Sequence, residues 1–255
     1  KLKSFVRSLG LHLECLKTRF LKVENKKMFS LDQYKFLISE LASKGLTPTT
    51  DWIEKPTKDT LLIRHDSDFS VDFAHKLATF ESKLGIHSTY FFMLTSNMYN
   101  LVSYEHQRLV NEIIEMGHKV SIHFDPTAHA DLEKFENEKK LFESIFNVEV
   151  DIVSIHRPGP FLDNNNVSLC GVPQTYNDTY SKSIKYLSDS GGRDVMPQLS
   201  HFLKGHRSQG LHLLIHPVWW VGEGKNATET LDFWRSKNSE FLASEVRLNC
   251  RTYEG

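Results

Sequence analysis

Asp66 and Asp68, one residue apart in the run Arg64-His65-Asp66-Ser67-Asp68, carry the strongest chemical signal in this 255-residue chain. In extended backbone alternate side chains share a face, so the two carboxylates point the same way. Close carboxylates repel unless a cation, a shared proton or a base such as Arg64 compensates. An isolated Asp-x-Asp is as readily an Asx-rich turn. Here, however, other polar residues recur in the same setting, each just past a short apolar run: His123, the pair His156-Arg157, and His216.

The residue types assign chemistry to these positions. His123 ends the run 119–123 and is placed to ligate a metal. His118 stands at the opposite end, about 15 Å away if the chain between is extended, and reads as structural or surface-exposed. Asp125 and His129 follow in a loop from which either can reach back, and His129 is the preferred third protein ligand. Arg157, with Pro158 blocking continuation of the strand, can hold a catalytic carboxylate by paired hydrogen bonds or simply anchor a loop. Asp189, in Ser188-Asp189-Ser190-Gly191-Gly192, can pair with Arg157. His216 is suited to proton transfer near neutral pH. Trp219 and Trp220 beside it can wall a sugar-sized pocket or simply pack.

Elements must hold these residues in place, and the pattern predicts an alternation of strands and helices. A helix begins at 31, capped by Ser30 and ended by Gly45. Strands follow at 60–63, 88–94, 119–123, 152–155 and 211–215, separated by helices at 71–84, 105–116 and 131–146 and closed by a helix at 230–246. Residues 159–210 are broken by Gly, Asn, Pro and Ser, with short strands within 180–187 and a short helix at 195–202. Such alternation implies an α/β fold with a mainly parallel sheet covered by helices. The polar residues then fall at strand C-termini, the edge where such sheets and barrels bind ligands.

Bulk properties narrow the function classes. At 40% hydrophobic and 25% charged residues the chain is an ordinary globular one, read as one domain over 29–255 preceded by a helical arm over 1–28. Thirty-one basic residues balance 32 acidic ones, which gives no case for a nucleic-acid partner or an anionic membrane. No apolar run reaches membrane-spanning length, and the start of the chain lacks a convincing signal core. Cys15, Cys170 and Cys250 are far apart and odd in number, so they read as free thiols in a reducing, cytoplasmic setting. A phosphate-binding glycine loop, a Gly-x-Ser-x-Gly elbow and a cysteine cluster for structural zinc are all absent from the sequence.

Taken together, the motifs resemble those of the polysaccharide deacetylase superfamily, from about Phe29 to Trp220. Arg64 to Asp68 is similar to its first motif, Gly117 to His123 to its second, His156-Arg157-Pro158 to its third, and the surroundings of His216 to its last. The run from Leu214 to Trp220 is similar to deacetylase-like proteins of surface-polysaccharide gene clusters. The resemblance implies a distorted (β/α)7-type barrel and a divalent cation, zinc by preference, held by Asp68 and His123. It also implies Asp66 as base, steered by Arg157, Asp189 as the acidic residue of the fourth motif, and His216 as general acid. The implied reaction is hydrolysis of an N-acyl group, N-acetyl above all, on an amino sugar or glycan precursor. Two rivals stand beside it: an amidase acting on a non-sugar C–N bond, and a catalytically silent barrel that binds saccharide. The sequence departs from the family where a further metal histidine is usual four residues after His123, because Thr127 stands there.

Overall fold

The computed structural model of the chain describes residues 29–52, 55–128, 132–165, 168–205 and 208–255, with only the backbone of 164 and 165. The expected arm over 1–28 lies outside the described residues, as do Cys15 and His129. Helices α1 (Leu31–Ser43), α2 (Val71–Lys83) and α3 (Tyr104–Glu115) each begin on a serine, Ser30, Ser70 and Ser103, whose hydroxyl accepts from a backbone N–H three residues on. That satisfies one of the donors a helix start leaves open. Beyond α2 and α3, Gly85 and Gly117 turn the chain toward the next strand at φ 70° and 87°, a region that favours glycine.

The main sheet contains β1 (Thr47–Thr49), β2 (Thr60–Ser67), β3 (Thr89–Phe92), β4 (Lys119–Phe124), β5 (Val153–Ile155), β8 (Lys185–Ser188) and β9 (Leu211–Ile215). Its order is β5-β4-β3-β2-β9-β8, and every pairing in it is parallel. β1 pairs with the first residues of β2, on the edge that β3 takes over further along. That short strand was not expected from the sequence, because Pro48 and its polar neighbours carry no strand pattern. A small antiparallel pair, β6 (Ser168–Leu169) and β7 (Val172–Pro173), follows the helical turn α5 (Phe161–Asn165).

The sheet is strongly curled. Laid flat, β2 and β5 would lie about 14 Å apart, three strand spacings. Instead Ser154 Oγ on β5 is 2.7 Å from Arg64 Nη2 and 3.1 Å from Asp66 Oδ1 on β2. The result is an open half-barrel surrounded by helices, matching the distorted barrel expected from the motifs. The irregular region partly fills it: Tyr180, on the short helix α6 (Asp178–Ser181), joins Ile184, Leu62, Phe91 and Ile152 in an apolar plug packed against Trp52.

Alternation along β2 sorts the two faces. Leu61 and Ile63 join the outer core with α1 and α2, while Arg64 and Asp66 face inward. His65 also faces outward, onto Glu81 of α2. Glu81 is fully buried and accepts from Ser88 Oγ at 2.6 Å, Tyr90 OH at 2.8 Å and Tyr34 OH, with His65 Nε2 at 3.0 Å. Burial opposes its charge, yet His65, His118 and Ser88 outweigh that and hold the carboxyl down at about 2. His118 is buried against this cluster, its ring bonded at Ser88 and Ala78 O, so it is a structural histidine and not an exposed one. The remaining helices are α4 (Leu132–Phe146), α7 (Met196–Lys204), α8 (Pro217–Val221) and α9 (Ala227–Asn249). Among the described residues no helix is long and apolar enough to cross a membrane.

Candidate metal and acid–base site

Curling brings the C-terminal ends of β2, β4, β5 and β9 to one place. Asp66 is gripped from its own strand: Arg64 Nε donates to Oδ1 at 2.8 Å and Nη2 to Oδ2 at 2.6 Å. Arg64 is fully buried, donates also to Ser154 Oγ at 2.7 Å and Tyr176 OH at 3.3 Å, and lies over the Tyr176 ring. Burial alone would raise the Asp66 pKa, but Arg64, His123 and His216 outweigh it and hold the carboxyl well below the usual range.

Asp68, two residues on, meets histidines from other strand ends. His123 Nε2 lies 3.1 Å from Asp68 Oδ1 and 3.6 Å from Asp66 Oδ2. Its other nitrogen, Nδ1, lies 2.7 Å from Ser154 Oγ. If Ser154 gives its proton to Asp66 Oδ1, as its 3.1 Å contact allows, then His123 Nδ1 carries the proton and Nε2 presents a lone pair. His156, just past β5, has Nδ1 3.0 Å from Asp125 Oδ2, which leaves its Nε2 free in the same way. One ligating atom from each of Asp68, His123 and His156 lies within 4.8 Å of the others. Asp68 Oδ1 is buried with no donor in hydrogen-bonding geometry, an orphaned acceptor of the kind a cation satisfies. One carboxylate and two imidazoles also suit zinc in a site that keeps a further coordination position open.

No family model matches the chain, and no curated protein matches it. Solved structures that resemble it include a CE4 family pseudoenzyme, a peptidoglycan deacetylase and family 4 esterases. A CE4 family pseudoenzyme from Bacillus anthracis aligns with 13% identity and a TM-score of 0.41, over 76% of this chain and 66% of that one. The peptidoglycan deacetylase PdaC from Bacillus subtilis aligns with 10% identity and a TM-score of 0.40, over 77% and 98%. A family 4 acetyl xylan esterase from Clostridium thermocellum aligns with 10% identity and a TM-score of 0.39, over 74% and 90%. The chain thus spans about two thirds of the pseudoenzyme's length.

Beside Asp68 stands His216, the residue just past β9. Its Nδ1 is 2.6 Å from Asp189 Oδ1, and its backbone N–H donates to the same carboxylate at 3.1 Å. Trp220 Nε1 donates to Asp189 Oδ2 at 2.8 Å. Burial lowers the His216 pKa, but Asp189, with Asp68 and Asp66 adding to it, overcomes this and raises it to about 9. The ring is therefore protonated at neutral pH, with Nε2 3.7 Å from Asp68 Oδ2.

Two expectations need correction. Arg157 does not steer Asp66: it is exposed, in a left-handed backbone at φ 48°, and both Asp66 oxygens are taken by Arg64. Asp189 does not pair with Arg157 either, but holds His216. His156, noted only as a strand-end residue, joins Asp68 and His123, while the favoured His129 lies outside the described residues. Ser154, which links Arg64, Asp66 and His123, had no signal, since a lone serine in a short apolar strand looks like any other. Both tryptophans are buried: Trp220 packs against Phe29 and Tyr34 while its Nε1 holds Asp189, and Trp219 packs against Phe69.

Proposed function

We propose that this chain is a divalent-metal-dependent hydrolase that removes an N-acyl group, N-acetyl by preference, from an amino sugar or glycan precursor. The observation that carries this reading is one constellation. Asp68, His123 and His156 each offer a donor atom within 4.8 Å of the others, with an arginine-held Asp66 and an aspartate-held, protonated His216 beside them. A divalent ion, zinc by preference, would polarise the acyl carbonyl and acidify water next to it. Asp66, ionised and fixed by Arg64, accepts the proton of the attacking water. His216 donates its proton to the nitrogen as the C–N bond breaks, so a carboxylate and an amine leave. Asp189 fixes the orientation of His216 and favours its protonated form. The amino-sugar substrate rests on the resemblance of the motifs around Asp66, His123 and His216.

The test is release of acetate and free amine from N-acetylated amino sugars and oligosaccharides by zinc-loaded protein. Asp66→Ala and His216→Ala are expected to lower kcat about 100-fold or more, the scale of lost acid–base catalysis. Turnover of simple acyl amides without turnover of sugars would move the substrate to a non-sugar amide. No turnover at all, with saccharide still bound, would make the barrel a binding module.

A further inference from the structure

We infer that Asp125 and Thr127 act together as positioning residues that make His156 the third metal ligand. The inference rests on the reading of Asp68, His123 and His156 as a metal group. It starts from the position where the sequence departs from the resembled family. Thr127 carries no imidazole, but it is fully engaged: its backbone N–H and its hydroxyl both donate to Asp125 Oδ1, at 2.8 and 2.6 Å. Two donors on one oxygen fix the carboxylate and turn its other oxygen outward. That oxygen, Oδ2, lies 3.0 Å from His156 Nδ1.

Strand register explains why the two meet. In the β4–β5 pairing His123 is opposite Ser154 and Phe124 opposite Ile155, and the backbone N–H of His156 donates to Phe124 O at 2.7 Å. The next residues out, Asp125 and His156, are therefore neighbours where the ladder ends. A carboxylate that accepts Nδ1–H orients an imidazole, fixes its tautomer and raises the basicity of Nε2, the usual support of a metal-bound histidine. Where the resembled family has a metal histidine this chain has Thr127, which instead supports a histidine from the end of the adjacent strand.

Asp125 must accept on both oxygens, from Thr127 on one and from His156 on the other. Asparagine offers only one acceptor oxygen. Asp125→Asn is therefore expected to break the arrangement with almost no change of volume. Zinc affinity would be measured by competition with a chromophoric chelator, and the ligand field by visible absorption of the cobalt(II)-loaded protein. Asp125→Asn is expected to weaken zinc binding roughly 10- to 100-fold and to change the cobalt spectrum. Thr127→Val should weaken binding in the same direction and Thr127→Ser should restore it, with metal-free thermal unfolding of all three close to the parent protein. Parent-like affinity and spectrum in Asp125→Asn, with His156→Ala still weakening binding, would overturn this inference alone. Indifference of the parent protein to zinc, or of its affinity to His123→Ala and His156→Ala, would overturn the metal reading and this inference with it.

Discussion

Arg64 and Asp66, two residues apart on one buried strand, form a bidentate ion pair through Arg64 Nε and Nη2 at 2.8 and 2.6 Å. The strand that supplies the carboxylate thus also supplies its clamp. Replacing Arg64 by Gln leaves Asp66 buried without its bidentate partner, a change that costs about 3 kcal/mol or more. The depressed Asp66 pKa contributes stability that is fully present above the ordinary value of 3.8 and drains away as pH falls below it. Urea unfolding should therefore show the deficit of Arg64→Gln in full at pH 6 and a smaller one below about pH 4.

His216 gives the opposite sign. Its folded pKa of about 9 exceeds the ordinary 6.5, so its stabilising contribution is complete below 6.5 and is lost as pH rises through 9. NMR titration of the metal-free protein should place the His216 ring near 9. Asp189→Asn, which removes the largest of the interactions raising it, should bring that value down by about one unit or more.

Removal of the metal should abolish turnover, and zinc should restore it. Asp68→Ala and His123→Ala are expected to lose stoichiometric zinc, measured by elemental analysis after gel filtration. With His156 completing the group, His129→Ala is expected to leave zinc content and affinity unchanged. Loss of zinc in His129→Ala would return the third ligand to the loop.

Glu81 provides a control away from the site. Removing its buried carboxylate by Glu81→Ala strands Tyr34, Ser88, Tyr90 and His65 without their acceptor. Denaturant unfolding should show a loss of about 3 kcal/mol or more. Because this cluster lies on the outer face of the sheet, zinc affinity of the folded protein should not change.

Local pattern was enough for much of this molecule. The cap at Ser30, the apolar runs of β2 and β9, and the glycines after α2 and α3 act on neighbouring residues, so their effect is readable without the fold. The α/β alternation and the placement of Asp66, Asp68, His123 and His216 at strand ends follow from the same short-range signals. What joined those ends was sheet curl, which sequence spacing does not encode. Arg64, and not Arg157, came to hold Asp66 because Arg64 shares its inward face, whereas the chain turns at Arg157 and leaves it in solvent. His156 came within reach of His123 and Asp68 through the register of β4 and β5, a relation between residues about thirty apart in sequence. Residue type and strand position therefore determined which chemistry is present. Only the tertiary structure decided which partner each group has, because hydrogen bonds and ligand distances depend on how strands pair and curl and not on their order along the chain.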